Sequence, residues 1–123
     1  MTVMKTTYAP KIRKAFEDSG KVNVRNLASM MDVSVRTISR GLGVTEGAVR
    51  RNSATDRAQP AARKMVDVLQ RAYDEFGDWK DTMIWLRTQR DDLSGHSPLD
   101  LILSGRGEVV DDLISNIESG QPG

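Results

Sequence analysis

The chain of 123 residues can form one folded unit with a core, or two very small units that share one. It contains no cysteine, which excludes disulfides, thiolate metal sites and cysteine nucleophiles. The net charge of +1 conceals an asymmetry, since residues 1–71 hold 14 Lys and Arg against 6 Asp and Glu, whereas residues 72–123 hold 4 against 11. A basic half attracts polyanions and an acidic half repels them, so the two halves are expected to serve different partners.

Hydropathy indicates no membrane segment. The longest apolar runs, such as residues 101–103, are far shorter than the roughly 20 residues needed to cross a bilayer. The basic residues near the N-terminus are not followed by the apolar core of a secretion signal. Together with the lack of cysteine, this favours a cytoplasmic protein that has no membrane partner.

Apolar residues recur at helical spacing along the N-terminal half. Pro10 can begin a first helix and Ser19-Gly20 can end it. Its apolar stripe is Tyr8, Ile12, Ala15 and Phe16. Asn23 can cap a second helix, because its side chain can accept a hydrogen bond from the first turn. The stripe of that helix is Val24, Leu27, Ala28 and Met31.

Two short helices joined by a glycine come next. Ser34 can cap a helix over Val35–Leu42, Gly43 suits a left-handed turn, and Thr45 can cap a helix over residues 46–52. This order is typical of a helix-turn-helix, whose second helix lies in the DNA major groove. The exposed positions of that second helix are Thr45, Glu46, Gly47, Arg50, Arg51 and Asn52.

The chemistry of these side chains suits DNA. Arg can bind guanine through two hydrogen bonds, Asn can do so with adenine, and Glu can accept from cytosine. Arg36 and Arg40 on the preceding helix are expected to contact phosphates instead. Short amphipathic helices are common in any helical protein, and the basic surplus of the same segment is what favours double-stranded operator DNA as a partner.

A second helix-turn-helix frame overlaps the first and stays open. It places Asp32 at the turn and makes residues 34–40 the recognition helix. Its base-reading residues would be Arg36, Thr37 and Arg40. We favour the later frame, because Gly43 is the better turn residue and because residues 50–52 offer more groups to base edges.

The polar stretch over residues 53–59 lacks any period and is predicted to be a loop that separates a domain 1–59 from a domain 60–123. Pro60 then suits the first turn of a long helix that ends at Gly77. The stripe of this helix is Met65, Val68, Leu69, Ala72 and Phe76.

Three further helices are predicted after Gly77. Asp78 and Asp81 resemble a capping box for a helix that carries Trp79, Met83 and Leu86 on one side. The residues that begin the next helix are Ser97, Pro98 and Asp100, and those that mark the last one are Val110, Leu113, Ile114 and Ile117. Residues 121–123 are expected to be a free tail. The predicted fold is all-α, with an N-terminal helix-turn-helix bundle joined by a long helix to a small helical C-terminal domain.

The acidic half carries a recognisable motif. It consists of Trp85-Leu86-Arg87, then Leu-Ser-Gly-His-Ser-Pro-Leu-Asp-Leu-Ile-Leu over residues 93–103, then Gly105. This segment resembles the C-terminal domain of the Xre/ParS-type antitoxins that are paired with RES-domain toxins. The resemblance covers most of the chain, since that family also places a helix-turn-helix ahead of a long helix ending in Phe-Gly, here Phe76-Gly77. Members often carry Pro-Asn before the leucine, where this chain has Gln-Arg-Asp-Asp over residues 89–92.

The resemblance implies an antitoxin of a type II toxin-antitoxin pair. Its C-terminal domain would neutralise a toxin that consumes NAD, and its N-terminal domain would repress the operon, in a homodimer or a larger hetero-oligomer with the toxin. Carried over residue by residue, the toxin-binding candidates are Trp85, Arg87, Leu93, His96, Pro98, Leu99, Ile102 and Arg106. The large apolar residues among them are also typical of core packing.

No catalytic or metal site is predicted. His96 is the only histidine, and the acidic residues near it match no metal-binding spacing. Without a nucleophile and base pair or a glycine-rich phosphate loop, neither an enzyme nor a cofactor is expected. Two alternatives stay open: a stand-alone helix-turn-helix transcription regulator, and a protein-interaction module whose basic half serves an acidic protein or solubility.

Overall fold

A computed structural model describes residues 8–120, and all regular structure in this part of the chain is helical. Its α-helices are α1 Pro10–Arg13, α2 Val24–Met31, α3 Val35–Leu42, α4 Glu46–Arg51, α5 Gln59–Phe76, α6 Trp79–Arg87, α7 Pro98–Leu103 and α8 Gly107–Glu118. Within the same residues there is no strand, only an isolated antiparallel bridge between Phe16 and Val22. The all-α prediction is confirmed. The predicted tail over residues 121–123 lies outside the described residues.

The helices of the N-terminal half begin at the predicted caps. The side chains of Asn23, Ser34 and Thr45 each accept a hydrogen bond of 3.0 Å from the backbone N–H three residues further on. Gly43 has a φ of 72°, a left-handed conformation that glycine adopts without steric cost because it has no Cβ. These local interactions are confined to a few consecutive residues, which is why the sequence predicts the starts of α2, α3 and α4 well.

The prediction for the first helix is wrong, because α1 ends at Arg13. The chain then turns back, so that Phe16 forms a bridge with Val22 and the N–H of Asn23 donates to the carbonyl of Ala15 at 2.7 Å. Backbone groups that bond across this turn cannot also bond along a helix. The apolar stripe is nevertheless largely buried, since Tyr8, Ile12 and Ala15 lie in the core.

Residues 53–59 are only partly the predicted loop. They include a single 3-10 turn at Asp56–Ala58, and α5 begins at Gln59, with Pro60 in its first turn as predicted. Asp78 caps α6 by accepting from the N–H groups of the second and third residues after it, at 2.7 and 3.2 Å. Ser97 and Asp100 form a capping box at the start of α7, with reciprocal bonds of 3.1 and 3.0 Å.

Helix α5 is the longest helix and packs against elements from both halves of the chain. It contacts α8, α6 and α1. The segment before α1 is fastened to it by two hydrogen bonds, from the Tyr8 hydroxyl to Asp67 at 2.5 Å and from the Ala9 N–H to Gln70 at 2.8 Å. Burial, aided by the bond to Asp67, raises the pKa of Tyr8 to about 12. Tyr8 therefore stays a neutral donor throughout the ordinary pH range.

The N-terminal and C-terminal halves meet where α3 packs against α7. A methyl group placed on Gly41 of α3 would lie 2.1 Å from the carbonyl oxygen of Leu103, so only a glycine allows this approach. Buried residues on both sides of the predicted boundary belong to one hydrophobic cluster. The two predicted domains therefore share a core, and their division at residues 59 and 60 stays a prediction.

Candidate nucleic-acid interface

Four arginines of α3 and α4 are free to meet a polyanion. Arg36 and Arg40 lie one turn apart on α3, whereas Arg50 and Arg51 occupy the last turn of α4, and all four residues are exposed. None of them forms a hydrogen bond or an ion pair with any residue in the described part of the chain. Their charges are therefore not neutralised there, which is the electrostatic property that a phosphate backbone requires.

Other cations of the basic half are engaged within the molecule. Lys21 binds Asp56 at 2.8 Å, and Arg25 donates to the Ser53 hydroxyl at 3.1 Å. The guanidinium of Arg63 lies 5.6 Å from the centre of the Phe16 ring. A count of charges along the sequence therefore overstates how many cations of the basic half are available to bind DNA. The helices α3 and α4 hold a large part of the cations that have no partner among the described residues.

The arginines of α4 share one location. A methyl group built on Gly47 would lie 3.4 Å from Nη1 of Arg51, 3.8 Å from Nη2 of Arg50 and 3.9 Å from Oγ1 of Thr45. Both side chains therefore extend back towards the first turn of the helix, as side chains three and four residues apart do on one helical face. Two cations and a hydroxyl surround the space above this glycine.

Asn52 and Glu46 flank the arginines and differ in whether their acceptor oxygens are already hydrogen-bonded. The amide oxygen of Asn52 accepts the N–H of Ala54 at 3.0 Å, so its acceptor is already used in ending α4. An Asn that reads adenine needs both its oxygen and its NH₂ group, and this bond weakens the expected role of Asn52. Glu46 is exposed at the start of α4 and keeps its carboxylate accessible.

Both helix-turn-helix frames have a left-handed turn in the structure. Asp32 ends α2 with a φ of 55°, just as Gly43 ends α3. However, Thr37 and Arg40 of α3 line a cleft of about 440 Å³ together with Asp100 and Ser104 of the C-terminal half. The Asp100 carboxylate lowers the positive potential on this side of α3 and α7 packs against the helix, whereas α4 packs chiefly against α3. These contacts favour the frame in which α4 is the recognition helix.

The toxin-binding candidates are divided between the core and the surface. Three of them, Pro98, Leu99 and Ile102, are buried within the chain itself, and Ile102 is only 1% exposed. Trp85 is half-buried, with its ring centre 5.1 Å from that of Phe76. The buried three stabilise the fold and present little surface to another protein.

The side chain of Arg87 forms hydrogen bonds within the chain. Its Nη2 donates to the carbonyls of Met31 and Asp32 at 2.7 and 3.2 Å, at the C-terminal end of α2. A cation at this end of a helix satisfies terminal carbonyls and the helix dipole. The guanidinium therefore joins α6 to the end of α2. The two segments are far apart in the sequence, so a local sequence pattern could not predict this contact.

The candidates that remain near the surface are Leu93, His96 and Arg106, of which His96 and Arg106 are exposed. His96 lies 3.9 Å from a carboxylate oxygen of Asp100. Sequence reasoning missed Ile84, which is 57% exposed on α6 and is the one large apolar residue so exposed among residues 8–120. Its position off the stripe of Trp79, Met83 and Leu86 is the signal that could have identified it.

The described residues contain no cluster of three or more His, Asp or Glu side chains that could hold a metal ion. None of the helices in that same portion is both long and apolar enough to cross a membrane. Neither a known protein-family model nor a curated protein matches the sequence.

Proposed function

We propose that the protein is a DNA-binding antitoxin. Its helix-turn-helix, formed by α3, Gly43 and α4, binds the operator in front of its own gene, and its acidic C-terminal half binds and neutralises a RES-domain toxin that consumes NAD. The observation that carries the DNA-binding part is the set of four exposed arginines on α3 and α4 that have no partner among the described residues. The antitoxin part depends on the resemblance of residues 85–105 to the Xre/ParS-type family.

Operator binding by this protein requires more than one copy of the chain. Helix α4 has only six residues, and one helix of that length reaches few base pairs. Two copies that present their α4 helices about 34 Å apart would bind successive half-sites on one face of the duplex. We therefore expect a homodimer on a two-fold symmetric operator, with or without the toxin.

Replacing Arg50 and Arg51 together by Ala tests the DNA-binding part. We expect affinity for a duplex of the DNA upstream of the gene to fall about 10- to 100-fold, because hydrogen bonds to charged groups are worth about 1.5–3 kcal/mol. Fluorescence anisotropy of the labelled duplex at fixed salt measures the change. Both residues are exposed, so the thermal unfolding curve should be unchanged.

The matched control replaces Lys80 and Arg106 by Ala, which removes the same charge from exposed residues of the C-terminal half. This control should keep its affinity within about threefold, since the charge lies away from α4. Equal affinity of the Arg50 and Arg51 variant and the natural protein would contradict the assignment of α4.

Replacing His96 and Arg106 together by Glu tests the antitoxin part. Both residues are exposed, so the fold should be retained, whereas a change at Pro98, Leu99 or Ile102 would disturb the core. We expect cells that co-express a RES-domain toxin to lose protection, with growth reduced to that of cells without the antitoxin. Full survival of those cells would argue against toxin contact at this surface, and circular dichroism of the purified variant verifies folding.

A specific observation favours a second candidate, a stand-alone transcription regulator. Three predicted toxin contacts are core residues and Arg87 holds the end of α2, so the C-terminal half completes the fold even without a toxin. In that case the protein would bind its operator but would fail to protect cells from any RES-domain toxin. The co-expression experiment separates the two candidates.

A further inference from the structure

The space above Gly47 has the composition of an anion site. The hypothetical methyl group on Gly47 touches one nitrogen of each of two guanidinium groups, at 3.4 and 3.8 Å, and no carboxylate oxygen is among its three nearest atoms. The third of those atoms is the Thr45 hydroxyl oxygen at 3.9 Å. This hydroxyl accepts the N–H of Ala48, which leaves its own proton free to donate.

Two guanidinium groups repel each other, and those of Arg50 and Arg51 both lie near the same point above Gly47 although neither forms an ion pair with a described residue. A single anion above Gly47 could therefore contact both charges. A guanine offers its O6 and N7 acceptors to one arginine at a time, whereas the two free oxygens of a phosphodiester can each accept from a different arginine. The geometry suits a phosphate better than a base edge.

We infer that Arg50, Arg51 and the hydroxyl of Thr45 form a binding site for one phosphodiester group of the DNA backbone, with the absent side chain of Gly47 leaving the space that the phosphate fills. The site depends on the DNA-binding function proposed above and refines it. The two arginines then fix the position of α4 on the duplex and add affinity, and they do not select the base sequence. This differs from the expectation from sequence that they read base edges.

The salt dependence of DNA affinity shows how many phosphates the two arginines contact. Each phosphate that the protein neutralises contributes about 0.9 to the slope of log affinity against log salt. Two arginines that share one phosphate should therefore account for about one unit of slope, whereas two arginines on separate phosphates should account for about two. Contacts to base edges would change the slope little and would show a preference for one sequence.

The experiment measures anisotropy with two labelled 30-base-pair duplexes, one from the upstream DNA and one of mixed sequence, between 50 and 200 mM NaCl. For the variant with Ala at both arginines we expect affinity to fall about 10- to 100-fold at the lower salt on the mixed duplex, and by a similar factor on the upstream duplex. The slope should decrease by about one unit on both.

Substitution of Gly47 tests the space itself. Gly47→Glu places a carboxylate where the phosphate would lie and should weaken binding as much as loss of both arginines. Gly47→Gln has nearly the same size without the charge and should weaken binding less. Gly47→Ala should fold normally, since its methyl group would meet side-chain ends only at ordinary contact distances, and it should weaken binding by less than Gly47→Gln because it fills only the part of the space nearest the backbone. Melting curves establish that each variant is folded.

The outcomes separate the inference from the function it depends on. A slope change of about two units, a loss of binding confined to the upstream duplex, or normal binding by Gly47→Glu would each overturn the shared phosphate while leaving DNA binding intact. Failure of the natural protein to bind either duplex at 50 mM NaCl would overturn the proposed function and the phosphate site together.

Discussion

Two groups of arginines in this molecule have the same charge but different surroundings. Arg50 and Arg51 on α4 are exposed and form no ion pair with the described residues. Arg71 on α5 instead binds Asp111 at 3.0 Å and Glu118 at 2.9 Å, while Arg90 binds Asp92 with two bonds of 2.9 Å. The pairing holds the pKa of Asp92 below its usual range. Pairing, more than net charge, separates arginines that stabilise this fold from those available to a ligand.

The two regions also differ in how tightly the backbone is packed. Gly41 of α3 lies against the carbonyl of Leu103, whereas the nearest atoms to a methyl group on Gly47 of α4 are the ends of side chains at ordinary contact distance. Both glycines are inside helices, where replacement by Ala otherwise favours the helix by up to about 1 kcal/mol. The same substitution at the two positions therefore measures the packing difference directly.

The largest effect is expected for Gly41→Ala. A methyl group 2.1 Å from a backbone oxygen forces α3 and α7 apart, because neither backbone can move as a flexible side chain can. We expect the free energy of unfolding to fall by about 3 kcal/mol, at the upper end of overpacking effects. Urea unfolding followed by circular dichroism measures this change.

Gly47→Ala is the control for that measurement and should be neutral or slightly stabilising. If both variants unfolded at the same urea concentration, the contact between α3 and α7 would not be tightly packed. The close approach of Gly41 to Leu103 would then contribute nothing to stability.

Prediction from sequence succeeded where structure is determined locally. Asn23, Ser34, Thr45 and Ser97 each begin a helix by bonding to a residue three positions on, and these starts were predicted correctly. The first helix was predicted too long because the backbone beyond Arg13 bonds across a turn. That turn depends on tertiary packing, which overrides the local apolar period.

The site was harder to predict than the fold. Arg87 and Arg51 are both exposed arginines in the last turn of a helix, and nothing in their neighbouring residues distinguishes them. Only the structure reveals that Arg87 bonds to carbonyls more than fifty positions away, at the end of α2. The burial of Leu99 and Ile102 is likewise a result of how α7 packs against α3 and α8.

A smaller effect is expected when Arg87 and Arg50 are compared by replacing each with Ala. Loss of Arg87 leaves the Met31 and Asp32 carbonyls without its hydrogen bonds, and the free energy of unfolding should fall by about 1 kcal/mol, since the side chain is partly exposed and water replaces some of the interaction. DNA affinity should change little. Arg50→Ala should do the reverse, lowering DNA affinity about tenfold without changing stability. If Arg87→Ala were as stable as the natural protein, its bonds to α2 would carry no net energy, and its exposed guanidinium would again be a candidate for binding a partner.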